Sequence, residues 1–146
     1  MDVFKDLYQQ LIIDHNQNPR NFHKLENSNY RADGHNPLCG DEITVYIKEK
    51  DGYIKDIAFI GSGCAISKAS ASIMTSTLKG MKVEDTKTLF DNFHTLATTG
   101  ESSEDMGKLS VLAGVHKYPA RVKCATLAWH TFHGALHNLT KTIKTE

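Results

Sequence analysis

A cysteine and an aspartate two residues apart, Cys39 and Asp41, are the residues of this chain best suited to chemistry. In extended backbone, residues i and i+2 point to the same side, and Gly40 between them lets the chain bend. The thiol and the carboxylate can therefore bind the same small ligand, for which a metal ion is the obvious candidate. The remaining cysteines are Cys64 and Cys124, so three thiols and one carboxylate make a set of four ligands.

Cys64 follows the segment Gly61-Ser62-Gly63 and precedes a predicted helix. Free backbone N–H groups and the positive end of the helix dipole favour an anion at such a position, so we expect a lowered thiol pKa. A lowered pKa suits a metal ligand or a nucleophile. The alternative is a small buried cysteine that only packs, as many free cysteines do.

Cys124 is predicted near the start of the last helix, at the edge of its buried stripe when successive residues are placed about 100° apart. The edge is where a ligand of a partly exposed site would lie, although core packing alone also explains a cysteine there. Because all three cysteines fall at boundaries between predicted elements, core packing of all three together is the weaker interpretation.

The donor set of three thiolates and one carboxylate fits Zn²⁺, which prefers four ligands in a tetrahedron. Iron–sulfur clusters also take thiolate ligands, and a carboxylate is an unusual ligand for them. A fully coordinated zinc ion closes the site against substrate. Any reaction at such a site would therefore require one ligand to leave.

Histidines offer a second set of metal-binding or catalytic groups. His130, His133 and His137 fall on one side of the last helix, away from its apolar stripe, which favours a solvated polar face over a metal site. A cysteine–histidine hydrolase would need a histidine beside a nucleophilic thiol. His35 or His116 could take that place, but nothing in the sequence positions either one.

Hydrophobic periodicity predicts a helix, then a β-hairpin, then further helices. The first helix ends before Pro19, since proline disfavours helix in the residue before it. The segment up to Pro37 is polar and irregular, with room for a short strand. Alternating apolar residues around an Asp-Gly turn predict the hairpin, with a bulge near Asp56. Its open end should bring Asp41 and Cys64 together.

The Gly-Ser-Gly segment before Cys64 should end the second strand of the hairpin, and residues 98–105 are polar and predict a loop. The predicted strands and later helices cover residues 41–49, 53–60, 65–79, 84–97, 109–115 and 121–139. This order implies an α+β fold, in which a small antiparallel β-sheet is covered by helices.

At 146 residues, the chain is predicted to form one domain, residues 1–146, with a core that needs no disulfides. Zero formal net charge argues against nucleic acid as a partner, because phosphate binding usually needs a basic patch. No apolar run is long enough to span a bilayer, so no membrane partner is predicted. An odd number of cysteines argues against a secreted disulfide framework, and we interpret the protein as cytoplasmic.

Three cysteine motifs resemble those of the NifU/IscU-like family of iron–sulfur cluster assembly proteins. The motifs are Asn36-Pro37-Leu38-Cys39-Gly40-Asp41, Gly61-Ser62-Gly63-Cys64-Ala65-Ile66-Ser67 and Arg121-Val122-Lys123-Cys124-Ala125-Thr126-Leu127-Ala128-Trp129. The earlier segments Leu7-Tyr8, Asp14-His15 and Pro19-Arg20-Asn21 are also similar to that family. The resemblance covers nearly the whole chain and implies the SufU/IscU-like fold.

Within this family the chain is most similar to the SufU branch. Members of the IscU branch carry a histidine immediately before the last cysteine, where this chain has Lys123. They also carry a Leu-Pro-Pro-Val-Lys motif that a chaperone recognises, where this chain has Tyr118-Pro119-Ala120-Arg121-Val122-Lys123. The stretch between Cys64 and Cys124 is longer than in the IscU branch, as in SufU proteins.

The resemblance implies a zinc ion held by Cys39, Asp41, Cys64 and Cys124. It also implies a partner, a pyridoxal-phosphate cysteine desulfurase of the SufS type, from which Cys39 accepts persulfide sulfur for downstream iron–sulfur assembly proteins. Cys39 would leave the zinc when a partner residue takes its place. Arg121, one helical turn before Cys124, is a candidate for steadying the displaced thiolate or Asp41, although a surface salt bridge explains it equally well.

Three functions remain open on these observations. The first is a zinc-dependent sulfur acceptor, a sulfurtransferase partner of the desulfurase, which Lys123 and the long middle segment favour. The second is a scaffold on which an iron–sulfur cluster is built and released from the same four ligands. The third is a binding module with purely structural zinc, and glycine-flanked, partly exposed cysteines argue against it.

Overall fold

The computed structural model describes residues 3–102, 104–137 and 143–144 of the chain. The helices are α1 (Val3–Gln17), α2 (Ala65–Leu78), α3 (Val83–Thr99), a 3₁₀ helix (Gly107–Lys117) and α4 (Pro119–Leu136). The strands are β1 (Tyr30–Asn36), β2 (Asp41–Lys50), β3 (Tyr53–Ser62) and β4 (Ile143–Lys144). This is an α+β fold with a small sheet covered by helices, as predicted.

The sheet consists of antiparallel β1, β2 and β3, with β2 in the middle and the two residues of β4 parallel to β1. The predicted bulge is confirmed, because Lys55 is the extra residue of β3 next to Asp56. The prediction that Gly61 and Ser62 end the strand is wrong, since Ser62 still pairs with Glu42. A Cβ on Gly61 would lie 2.2 Å from the Glu42 carbonyl oxygen, so this glycine lets the strand continue at close approach.

β1 is a seven-residue strand in the segment whose sequence looks polar and irregular. Its inward-facing residues, Ala32, Gly34 and Asn36, are all buried. α4 packs so closely on this face that a Cβ on Gly34 would lie 2.0 Å from Thr131 Oγ1. Small inward residues thus replace the large apolar residues by which a strand is usually recognised.

The core lies between the sheet and the helices. α4 packs on β1 and β2, and α2 packs on α4, β3 and α1. Ser70 joins α2 to α4, because its Oγ donates to the Ala125 carbonyl oxygen at 2.5 Å and accepts from Trp129 Nε1 at 3.2 Å. Phe93 of α3 stacks on Trp129 with ring centroids 4.4 Å apart. These contacts fix the N-terminal parts of α2 and α4, where two of the three cysteines lie.

The helix boundaries agree with the sequence in most places. α1 ends at Gln17, before Pro19, as predicted, whereas α3 continues to Thr99, into the segment predicted as a loop. α4 begins at Pro119, earlier than predicted, because proline fits the first turn of a helix. Its predicted end, Leu139, lies outside the described residues. Of the helices described, none combines the length and apolarity needed to cross a membrane.

Candidate metal centre

Cys39 lies in the tight turn between β1 and β2. Asn36, the last residue of β1, pairs with Asp41, the first residue of β2. The Gly40 N–H closes the turn by donating to the Asn36 carbonyl oxygen at 2.8 Å, and Gly40 has a φ of 74°, which glycine adopts without steric cost. The side chain of Cys39 is exposed, so a partner protein has direct access to this thiol.

The Asp41 carboxyl group is fully buried and is held by hydrogen bonds from two directions. Its Oδ1 accepts from the Cys64 N–H at 2.8 Å, and its Oδ2 accepts from Asn36 Nδ2 at 3.3 Å. These donors offset part of the cost of burying a carboxylate. The predicted meeting of Asp41 and Cys64 at the open end of the hairpin is confirmed.

The loop before Cys64 passes directly over the Asp41 side chain. A Cβ on Gly63 would lie 2.3 Å from Asp41 Oδ1, and Gly63 has a φ of 157°. Both the close approach and the backbone conformation require glycine at this position. Gly63 therefore allows the Cys64 N–H to reach the carboxylate.

Cys64 is the N-cap residue of α2, and its thiol accepts from the Ser67 N–H at 3.5 Å. A hydrogen bond with the Cys124 thiol lowers the pKa of Cys64, burial opposes this effect, and the Ser67 N–H adds to it. The predicted lowering of this pKa is confirmed. Its main cause is the neighbouring cysteine, whereas the sequence pointed only to the helix N-terminus.

Cys124 is completely buried, which corrects the prediction that it lies at the edge of the buried stripe. The reason is that α4 is covered by the sheet on one side and by α2 on another, so one apolar stripe does not describe it. The Cys124 thiol donates towards Cys39 Sγ at 3.3 Å. Its hydrogen bond with Cys64, together with burial, raises the pKa of Cys124, so this thiol holds its proton when no metal is bound.

Three of the four predicted ligands form one compact group. A sulfur of Cys39, an oxygen of Asp41 and the sulfur of Cys124 all lie within 4.8 Å of one another. Cys64 donates its N–H to Asp41, but its sulfur is not part of this group. A four-ligand site that includes Cys64 stays a prediction.

Zinc fits this donor set. Zinc–sulfur bonds of about 2.3 Å and zinc–oxygen bonds of about 2.1 Å place the donor atoms of a tetrahedral site roughly 3.5–3.8 Å apart. The sulfurs of Cys39 and Cys124 are 3.3 Å apart. Small shifts of the two side chains would therefore bring these sulfurs to the separation that zinc requires. The Cys124 proton must leave when the metal binds, because thiolates are the ligands.

The histidine face of α4 is less solvated than predicted. His130 and His133 are half-buried, with ring centroids 5.3 and 5.4 Å from that of Phe90 in α3, whereas His137 is exposed as predicted. Burial lowers the pKa of His130 and of His133. Within the described part of the chain, histidines do not form a group of three or more potential metal ligands.

The cysteine–histidine hydrolase is not supported by the geometry. His116 Nδ1 lies 2.8 Å from the Ala113 carbonyl oxygen. Among the hydrogen bonds of the described side chains, neither His35 nor His116 bonds to a thiol. Arg121 is exposed, one turn before Cys124, and makes no ion pair with a described carboxylate; its helper role stays a prediction.

Asn36 is a further residue of the site, to which the sequence alone gives no role although it belongs to the first cysteine motif. Its side chain is fully buried between Asp41 and Cys124. Its position in β1 indicates that its side chain faces inward, because it continues the alternation of the buried residues Ala32 and Gly34.

Comparison with known proteins places these features in a family. The family model of the NifU-like N-terminal domain matches residues 7–125. The chain is 39% identical over 142 residues to the iron–sulfur cluster assembly scaffold protein IscU of Thermotoga maritima, which covers 95% of this chain and 99% of the relative. It is 43% identical over 125 residues to the zinc-dependent sulfurtransferase SufU of Bacillus subtilis, covering 84% of each chain.

A solved structure agrees with these relatives. The crystal structure of an iron–sulfur cluster assembly scaffold protein for the SUF system from Fervidobacterium islandicum has a TM-score of 0.82 and 33% identity, covering 87% of this chain and 94% of that one. The fold and the cysteine–aspartate site thus define the class of iron–sulfur cluster assembly proteins of the IscU/SufU type. The chain belongs to the NifU-like N-terminal domain family, as its cysteine motifs predicted.

Proposed function

We propose that this protein is a zinc-dependent sulfur acceptor of iron–sulfur cluster assembly, with a SufS-type cysteine desulfurase as its partner. The observation that carries the proposal is the unequal burial of the site. Asp41 and Cys124 are fully buried, whereas Cys39 is exposed on a turn. One ligand can therefore leave the site and meet a partner while the buried ligands stay in place.

The transfer itself needs no oxidant or reductant. The Cys39 thiolate attacks the outer sulfur of a persulfide on the desulfurase, and a new sulfur–sulfur bond forms on Cys39. The original sulfur–sulfur bond breaks at the same time, and the desulfurase cysteine leaves as a thiolate. Downstream iron–sulfur assembly proteins would then take the sulfur from Cys39.

Zinc and the surface around the turn support this role. Bound zinc would be held by Cys39, Asp41, Cys64 and Cys124 and would keep the thiols deprotonated before the partner arrives. Leu38 leaves 63% of its surface exposed beside the acceptor, which gives a partner an apolar contact. Lys123 replaces the histidine of the IscU branch and favours the acceptor over the scaffold.

The deciding measurement is the turnover of a SufS-type desulfurase with zinc-loaded protein, with metal-free protein and with no addition. We expect strong stimulation by the zinc-loaded protein only. Cys39→Ala should reduce turnover to that of the desulfurase alone, since the attacking sulfur is gone. Thr95→Ala, an exposed substitution in α3, should behave as the unaltered protein.

The second candidate function is the iron–sulfur cluster scaffold. It is favoured by the extent of the similarity to the Thermotoga scaffold, which spans nearly both chains. Absence of stimulation by zinc-loaded protein, together with uptake of iron and sulfide on the same cysteines, would contradict the acceptor and establish the scaffold.

A further inference from the structure

Asn36 is the buried polar residue that connects the ligands to one another. Its Nδ2 lies 3.3 Å from Asp41 Oδ2 and 3.6 Å from Cys124 Sγ, and its side chain is fully buried. Its Oδ1 accepts from the Leu38 N–H at 3.3 Å, and its carbonyl oxygen accepts from the Gly40 N–H. One residue thus holds two ligands through its amide nitrogen and the Cys39 turn through its oxygens.

The orientation of this amide follows from its surroundings. The NH₂ group faces a carboxylate and a sulfur, which are both acceptors, and the oxygen faces a backbone N–H, which is a donor. A reversed amide would place its oxygen against the Asp41 carboxylate, so that two acceptors would face each other in a buried site without a proton between them. The donor side of Asn36 is therefore directed at the ligands, where a hydrogen bond to a charged acceptor is strongest.

We propose that Asn36 is a positioning residue that keeps Asp41 and Cys124 in place while Cys39 leaves the metal. The proposal rests on the proposed function, in which Cys39 moves out to accept sulfur. When Cys39 departs, the buried ligands lose one of the groups that fix their geometry. The Asn36 amide still bonds to both of them, since neither bond involves Cys39.

Asn36 has a second possible route to the metal, through the turn that carries Cys39. Through Leu38 and Gly40, Asn36 also shapes the turn that carries Cys39. If Asn36 worked only through the turn, it would matter to the metal only while Cys39 is a ligand. If it holds the buried ligands, it matters equally after Cys39 is removed.

The test is a double-mutant cycle in Co²⁺ affinity, measured by competition with a chelator and by thiolate-to-cobalt absorption. Asn36→Leu keeps the approximate volume of the side chain and removes the amide. We expect it to weaken Co²⁺ binding about 10–100-fold, as is usual for groups that orient metal ligands. In a Cys39→Ala background, Asn36→Leu should weaken binding by the same factor to within about twofold.

Asn29→Leu is the matched control. The Asn29 amide bridges two backbone groups and no predicted ligand: it bonds to the N–H and the carbonyl of Glu49, at the opposite end of the β1–β2 pair. It should leave Co²⁺ affinity unchanged. Loss of the Asn36→Leu effect in the Cys39→Ala background would overturn the proposal and leave Asn36 a turn residue. These measurements use no desulfurase, so their outcome is independent of whether sulfur transfer is observed.

The unaltered protein provides a measurement that does not depend on folding of a variant. In ¹⁵N-labelled protein, Zn²⁺ should move the side-chain amide proton resonances of Asn36 much more than those of Asn29, because only Asn36 bonds to ligands. Equal movement of the two amides would contradict the proposal, even if Asn36→Leu fails to fold.

Discussion

At the scale of single residues, the site depends on a carboxylate that is buried before any metal arrives. Asp41 can be accommodated because the Cys64 N–H and the Asn36 amide both point at it. The Cys64 N–H could not approach if the loop above carried a side chain at position 63. The glycine is thus as necessary to the ligand geometry as the ligand itself.

Gly63→Ala should therefore displace Asp41 and weaken Zn²⁺ binding about 10–100-fold, the range typical of changes next to metal ligands. The added Cβ would lie 2.3 Å from Asp41 Oδ1. Chelator competition measures the affinity. Gly80→Ala is the control, because Gly80 also has a positive φ but a Cβ there meets nothing within 4 Å. Unchanged zinc affinity in Gly63→Ala would show that Asp41 is not held as described.

The positions of Cys39 and Asp41 could be predicted from the sequence, because they follow from local spacing. The hairpin pattern also brought Asp41 to Cys64, which lies 23 residues away. The burial of Cys124 and the role of Asn36 could not be predicted in this way. Both depend on how α4 packs on β1 and α2. Packing between elements that are distant in sequence produces no periodic pattern within a single segment.

At the scale of elements, the contact between α3 and α4 brings three histidines close to one aromatic ring. Phe90 lies between His94 on its own helix and His130 and His133 on α4. Burial lowers the pKa of His130 and of His133, and repulsion from neighbouring charged histidines adds to the effect. The contact therefore favours the neutral forms of His130 and His133.

This contact should make the fold less stable in acid. The folded-state pKa values of His130 and His133 are lowered, so the unfolded chain binds protons first as the pH falls below about 6.5. Stability is present above that pH and is lost as the pH drops through the folded-state values. The pKa of buried His15 is lowered too, so His130→Leu should flatten, and not abolish, the fall in unfolding free energy measured by urea titration.

His23→Gln provides the comparison for this titration, since His23 is exposed. Its unfolding free energy should depend on pH as that of the unaltered protein does. An undiminished pH dependence in His130→Leu would mean that the α3–α4 histidines do not contribute.

At the scale of the whole molecule, the candidate metal centre lies at the edge of a core that is built from other residues. Both the sheet and the helices bury large apolar residues, including Phe59 in the sheet, Phe93 in α3 and Trp129 in α4. The predicted ligands come from the β1–β2 turn, the start of β2, the N-terminus of α2 and the first turns of α4. A metal bound there would therefore link elements that already pack together.

Removal of zinc with a chelator should lower Tm and leave the fold intact. At a zinc concentration about a thousand times its Kd, binding stabilises by about 4 kcal/mol, which corresponds to a Tm shift of roughly 10 °C for a chain of this size. Calorimetry and far-ultraviolet circular dichroism measure both quantities. Unfolding of the metal-free protein at room temperature would instead favour purely structural zinc.

The sequence distance between the two contacting thiols has a consequence for synthesis. Cys39 and Cys124 are 85 residues apart, and their sulfurs meet only after α4 has packed on β1. A chain still leaving the ribosome presents Cys39, Asp41 and Cys64 long before Cys124 has been added. Capture of a metal by all four predicted ligands would therefore have to follow translation of α4, so a loaded site would distinguish a chain that includes α4 from a shorter one.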